Sequence, residues 1–258
     1  MSQLAKAPLF KAILLDETPA GELGIWRFVM NERTRVFCAV VVAAALFSTG
    51  AMAQSADFRA QGNEPGWSIQ KNGEGITFNR MGGEAVKIAP LPGVRKSEVY
   101  EATVAGQPFA LKISDEVCTD AMSGMPFPSS VSVTMGKEEF KGCGGEPKAL
   151  LEGEWIVTEI NGKPVIAESQ ASINFVADGQ VNGNASCNRY FGPFKLTGEG
   201  LTISDLGSTM MMCEPAVVDQ ERLFLGVMGE VNRFEVKPDG ALVLHGKDNN
   251  AISAKRKS

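Results

Sequence analysis

Short runs of alternating apolar and polar residues fill most of residues 54–147. Trp67-Ser68-Ile69-Gln70, Gly75-Ile76-Thr77-Phe78, Val86-Lys87-Ile88, Tyr100-Glu101-Ala102-Thr103-Val104 and Val131-Ser132-Val133-Thr134-Met135 each place apolar side chains on one face at a period of two, as half-buried strands do. Turn-forming clusters such as Lys71-Asn72-Gly73, Met81-Gly82-Gly83 and Ala105-Gly106-Gln107-Pro108 separate them. Spacings of about ten residues, with no stretch of helical period, predict a small antiparallel β barrel or sandwich.

The glycine-rich stretch at residues 142–148 reads as a linker, after which the pattern restarts. Residues 154–160 and 164–166 flank Asn161-Gly162, a strong hairpin signal because a type I′ turn needs positive φ at both central positions. Further strands are expected at 172–176, 233–236, 241–245 and 251–254. From Pro215 to Val231 the period changes: Val217, Val218, Phe224, Val227, Met228 and Val231 fall mostly at three- and four-residue spacings, the apolar stripe of one helix. Pro215 suits the first turn of that helix. Residues 148–258 are therefore expected to be an α+β domain with one helix packed on an antiparallel sheet, and the chain as a whole mainly β with some α.

The N-terminus reads as an address. Residues 36–47 form an apolar run preceded by Arg33 and Arg35 and followed by Ala51-Met52-Ala53, the parts of a secretory signal peptide cut between Ala53 and Gln54. The run is shorter than the ~20 residues that span a bilayer. Cys38 lies at the start of the apolar run, where it cannot accept a lipoprotein lipid. Met30 stands where a signal peptide should begin, so residues 1–29 are read as an over-extended start and 30–53 as the signal. The product expected beyond the inner membrane has 205 residues, a net charge of −6 and no membrane span.

Composition narrows the function. Lys plus Arg number 25 against 30 Asp plus Glu, which argues against a nucleic-acid partner, since that needs a basic face to displace counterions. A single His leaves little for an acid–base or metal centre. Removing the signal leaves Cys118, Cys143, Cys187 and Cys213. Three pairings are open to them; sequence order favours 118 with 143 and 187 with 213, as structural disulfides of an oxidising compartment. A redox dithiol or a zinc site would want closer spacings.

Several motifs resemble a known family. Leu151-x-Gly153-x-Trp155, Asn161-Gly162, Phe175-x-x-Asp178-Gly179, Gly183-x-x-x-Cys187-Asn188-Arg189-Tyr190 and Thr209-Met210-Met211-Met212-Cys213, followed by a helix carrying Glu221 and Phe224, resemble the META domain (HslJ-like) family over about residues 148–255. The family places a small residue where Met212 stands. The resemblance implies an α+β fold, a bacterial envelope or secreted location, and links to heat shock, drug tolerance or virulence; it implies no catalytic residue. Gly62-Asn63-Glu64-Pro65-Gly66-Trp67, Cys118-Thr119-Asp120-x-Met122-Ser123, Phe127-Pro128 and Gly142-Cys143-Gly144 resemble an uncharacterised bacterial envelope domain often fused to META.

Chemistry-bearing candidates are few. Ser123 and Ser186 lack the nucleophile-elbow pattern, and His245 is the only imidazole. Glu64 and Asp120 are a formal carboxylate pair for glycoside hydrolysis, but both read better as turn-holders. Met210, Met211 and Met212, with Met122 and Met125, suit Cu(I) in type, yet read better as core filler. Trp67 and Trp155 read as core anchors before ligand stackers, and Lys255-Arg256-Lys257 as a solvated tail. The expectation is a non-enzymatic, periplasmic or secreted, stress-associated protein with no cofactor, binding an envelope protein or a small amphiphilic, hydrophobic ligand. An envelope hydrolase with an unrecognised site is the alternative, and a Met-based copper binder the next.

Overall fold

A computed structural model describes residues 57–89 and 99–257. The expected signal peptide, Cys38, Ala53 and Gln54 lie outside the described residues.

The N-terminal half is built from β1 (Phe58–Asn63), β2 (Gly66–Asn72), β3 (Gly75–Arg80), β4 (Val86–Ile88), β5 (Val99–Val104), β6 (Gln107–Ser114), β9 (Ser129–Met135) and β10 (Glu138–Gly144), with a two-stranded ribbon of β7 (Cys118–Thr119) and β8 (Pro126–Phe127) before β9. The main strands form one antiparallel sheet in the order β4-β3-β2-β1-β10-β9-β6-β5, curled so that its outer strands meet. Inward positions of the alternating runs fill the core. Phe78, fully buried, packs edge-on against Phe109 and Phe140 and tilts against Trp67.

The C-terminal half runs α1 (Lys148–Leu151), β11 (Gly153–Ile160), β12 (Lys163–Pro164), β13 (Ser172–Phe175), β14 (Gln180–Asn184), β15 (Arg189–Thr197), β16 (Gly200–Ile203), β17 (Gly207–Ser208), α2 (Pro215–Gly229), β18 (Arg233–Val236), β19 (Leu242–His245) and β20 (Ala251–Arg256). Its antiparallel sheet has the order β16-β15-β14-β13-β11-β20-β19-β18. The Leu201 N–H donates to the Asn232 carbonyl, drawing β16 toward the start of β18. Asn161 and Gly162 take φ of 51° and 71°, the positive pair that the hairpin requires. Helix α2 begins at Pro215 and buries Phe224, Val227 and Met228 against the sheet, the stripe its period predicts. The mainly β architecture with one long helix in the second half is as expected from the pattern.

The stretch read as a linker is mostly not one. Residues 142–144 finish β10, and Lys148 opens α1, so only residues 145–147 connect them. The glycines there serve close approach: a Cβ on Gly142 would lie 2.0 Å from the Gln61 carbonyl oxygen, and one on Gly62 would lie 2.3 Å from that of Lys141. Where the antiparallel pair β1 and β10 reaches Gly62 and Gly142, the backbones approach too closely for a Cβ at either position.

The basic end is not a free tail. It continues β20 alongside β11. The Arg256 guanidinium sits 4.3 Å from the Trp155 ring and donates to the carbonyls of Glu152 and Leu150, while the Lys257 ammonium lies 2.9 Å from the Glu154 carboxylate. The strand's register places the Arg256 stem on the indole, where stacking is worth more than solvation.

Candidate functional site

The motifs of the N-terminal half converge on one loop. Cys118 and Cys143 form a disulfide that ties β7 to β10. Next to it, Asp120 is buried and takes hydrogen bonds on both oxygens: Oδ1 from the Asn63 amide at 2.6 Å, Oδ2 from the Ser123 N–H at 2.8 Å and from the Ser123 hydroxyl at 2.6 Å. Burial raises the pKa of this carboxyl, but the bonds from Ser123 and Asn63 outweigh it and hold it below its ordinary value. The Trp67 indole donates to the Lys141 carbonyl and anchors the core as expected. Asp120 thus holds a turn, as its sequence context predicts, and Glu64 is exposed.

This fixed loop presents Met125 and Phe127 to the other half. Met125, only 7% exposed, belongs to the core of the C-terminal half, with Phe127 packed beside it. The two halves belong to one compact unit because the first plugs its loop into the second.

Beside the plug lies a cleft of about 860 Å³. One wall is the outer face of β1 and β2, with Arg59, Gln61 and Gln70; the other is Lys148 and the end of β15, with Phe194, Lys195 and Leu196; Met125 and Phe127 contribute apolar surface between them. The Lys148 ammonium donates to the Ala177 carbonyl and lies 5.4 Å from the Phe194 ring centre, which fixes its position at the rim. Three cations therefore face two carboxylates, Asp120 and Glu146, and the Asp120 oxygens are turned to their own donors. Arg59, Lys148 and Lys195 carry no sequence signal beyond their outward or terminal positions.

The C-terminal half has a second polar hub. Cys187 and Cys213 are disulfide-bonded, in the pairing that sequence order favours. Asn188 is 5% exposed. Its Oδ1 accepts from the Met211 N–H at 2.6 Å and the Thr209 hydroxyl at 2.8 Å, and its amide donates to Glu221 Oε1 at 2.9 Å and to the Met211 carbonyl at 3.4 Å. Glu221 Oε2 also accepts the N–H groups of Cys187 and Asn188. Tyr190 is buried and donates to the Ser172 carbonyl; burial pushes its pKa far above the usual phenol range. The Cys-Asn-Arg-Tyr and Thr-x-Met-x-Cys segments are thus the two sides of one knot, closed by α2.

Residues 148–258 match the META domain family. The match does not include the N-terminal half. No curated protein matches the sequence. Among solved structures, a protein from Burkholderia xenovorans solved by NMR is similar at 19% identity and a TM-score of 0.36, covering 43% of this chain and 86% of its own. A second NMR structure is 25% identical, with a TM-score of 0.37, covering 43% of this chain and 94% of its own. A DUF4847 family protein from Bacteroides vulgatus is 15% identical, with a TM-score of 0.34, covering 44% of this chain and 98% of its own.

Other motif residues of the META half fall outside the hub. Arg189 is exposed and contributes its N–H to Thr209 Oγ1. Met210 and Met212 are 96% and 99% exposed, and Met211 is exposed as well. This corrects the core-filler reading; residues 209–214 adopt no regular structure. The hub explains the outcome: Asn188 holds the Met211 backbone on both sides and the disulfide holds Cys213, so the loop stands on the surface with its thioethers in water. Met122 is exposed too, and of these five methionines only Met125 is core.

Two of the residues considered for catalysis, His245 and Ser186, hold structural contacts. His245 Nε2 lies 3.2 Å from Glu235 Oε2 across β18 and β19. Ser186 is buried and accepts from the Gln220 amide, which also donates to the Ser169 hydroxyl while Gln220 Oε1 accepts the Ile166 N–H. Gln220, a second polar lock from α2, gave no signal in the sequence.

Proposed function

We propose that this chain is a non-enzymatic protein of the bacterial cell envelope that binds a small anionic amphiphile in the cleft between its halves. The cleft carries the reading. Its apolar side chains (Phe194, Leu196, Met125, Phe127) adjoin Arg59, Lys148 and Lys195 in a volume of ligand size. Its floor is the hydrogen-bonded, disulfide-tied loop around Asp120, so little ordering is needed on binding. The non-enzymatic part rests on the carboxylates of Asp120 and Glu221 and on His245 Nε2, which are engaged in holding loops and strands. Two disulfides fit an oxidising compartment, and no helix among the described residues is long and apolar enough to cross a membrane.

The test is native mass spectrometry and calorimetry on the exported protein with dodecyl phosphate as probe and dodecyl maltoside as the uncharged control. Saturable binding of the phosphate amphiphile is expected, without turnover. Arg59→Ala and Lys195→Ala are each expected to weaken it about two- to fivefold, as partly solvated charges do. Equal binding of both detergents, or no binding of either, would refute the assignment.

A further inference from the structure

Away from that cleft, three departures from ordinary strand chemistry meet in one trough, of about 810 Å³, on the outer face of the META half. The first is Phe191, at an outward position of β15 and 63% exposed. Its ring lies on the backbone of β17: a Cβ on Gly207 would come within 3.1 Å of Phe191 Cζ. The second is asparagine. Asn182 and Asn184 occupy outward positions of β14, and Asn174 stands opposite Asn182 on β13, although asparagine is disfavoured in strands. The third is Gln170 at the rim, exposed with φ of 44°, a left-handed conformation that glycine adopts more readily. Residues held against local preference are where function is to be sought.

The register aligns these groups. Asn174, Asn182 and Phe191 form one row across three neighbouring strands, with the Asn174 amide donating to Asn182 Oδ1 at 3.3 Å. Charge is sparse: Glu154 is paired with Lys257, which leaves Arg189 beside the row. An aromatic face among planar amides suits neither an anionic ligand nor a broad apolar one. It suits a ring with an apolar C–H face and a rim of hydroxyls that both donate and accept, because a primary amide offers both functions in one plane and a guanidinium adds a fork of donors. We propose that this trough binds an uncharged oligosaccharide, with a pyranose stacked on Phe191 and its hydroxyls held by Asn182, Gln170 and Arg189.

The experiment is a titration of the isotope-labelled exported protein with cellohexaose and, separately, chitohexaose at millimolar concentration, followed by amide and side-chain NH₂ resonances. The expected result is a saturable shift of the Asn182 and Gln170 side-chain signals by at least one of the two sugars. Phe191→Ala, which removes an exposed ring and leaves the core intact, is expected to weaken binding roughly tenfold or more. Asn182→Ala is expected to weaken it severalfold, and Phe191→Trp to retain it. Shifts confined to other surfaces, unchanged affinity in Phe191→Ala, or no response to either sugar would overturn the proposal. So would concentration-dependent broadening of the same signals without sugar, which would give the face to a second copy of the chain.

Discussion

Met125 is the most informative residue to truncate, because it belongs by sequence to one half and by burial to the other. Met125→Ala removes three heavy atoms beyond Cβ from a site only 7% exposed. At about 0.8 kcal/mol per buried methylene-sized group, the lost transfer term is about 2.4 kcal/mol. A residual cavity of about 50 Å³, at about 24 cal/mol per Å³, adds about 1.2 kcal/mol. The plug cannot easily collapse into the gap, since the disulfide and the Asp120 bonds hold its base. The expected destabilisation is therefore about 3–4 kcal/mol. Because the loss falls on the junction, it should also divide a shared transition. Urea unfolding followed by tryptophan fluorescence and by amide exchange in each half measures both effects. In the parent protein the halves should unfold together; in Met125→Ala the midpoints should separate. A loss below about 1 kcal/mol, with the halves still unfolding together, would refute the plug as the source of coupling.

Asn188→Ala leaves Glu221 Oε1 and the Met211 N–H without their buried partner, and should destabilise by about 2–4 kcal/mol, lowering the melting temperature of the disulfide-intact protein by about 5–10 °C. Asp120 has a depressed folded-state pKa, so the stability it confers is present above its ordinary value of 3.8 and lost as pH falls through the lower folded value; Asp120→Asn should flatten the acid limb of a stability–pH profile below about pH 4. Tyr190 shifts the other way: its raised pKa keeps stability intact below the ordinary phenol value of 10.0 and loses it as pH rises beyond. Tyr190→Phe should flatten that alkaline limb while costing about 1 kcal/mol at neutral pH for the lost bond to Ser172.

Local order was legible because it is written in period. Strand β18 and helix α2 fall where alternation and the apolar stripe put them, and the Asn161-Gly162 turn follows from backbone sterics alone. What escaped depends on which surface meets which. Alternation says that a side chain is covered, but not that Met125 is covered by the other half. A glycine in sequence is compatible with freedom or with crowding, and at Gly142 the close approach of β1 to β10 makes it crowding. Arg256 reads as a terminal charge until the register of β20 against β11 sets it over Trp155. Three adjacent methionines look like core, because apolarity alone cannot reveal that Asn188 pins their backbone outside.

The two halves solve the same physical problem in the same way. Each closes a segment with a disulfide between cysteines 25 or 26 residues apart and fixes a short loop inside it with a buried polar side chain just after the first cysteine, Asp120 in one and Asn188 in the other. Burying such a group is tolerated only when its hydrogen bonds are met, and both hubs meet theirs with backbone and side-chain donors from the loop they hold. Loop conformation thereby stops depending on what the loop's own apolar residues bury. The N-terminal loop can surrender Met125 to a neighbouring core, and the META loop can leave Met210 and Met212 in water, without either losing its shape. The motif residues are thus the means by which short segments stay rigid: the Asp120 loop bounds the cleft, and the Asn188 hub fixes the start of strand β15, which carries Phe191 at an outward position.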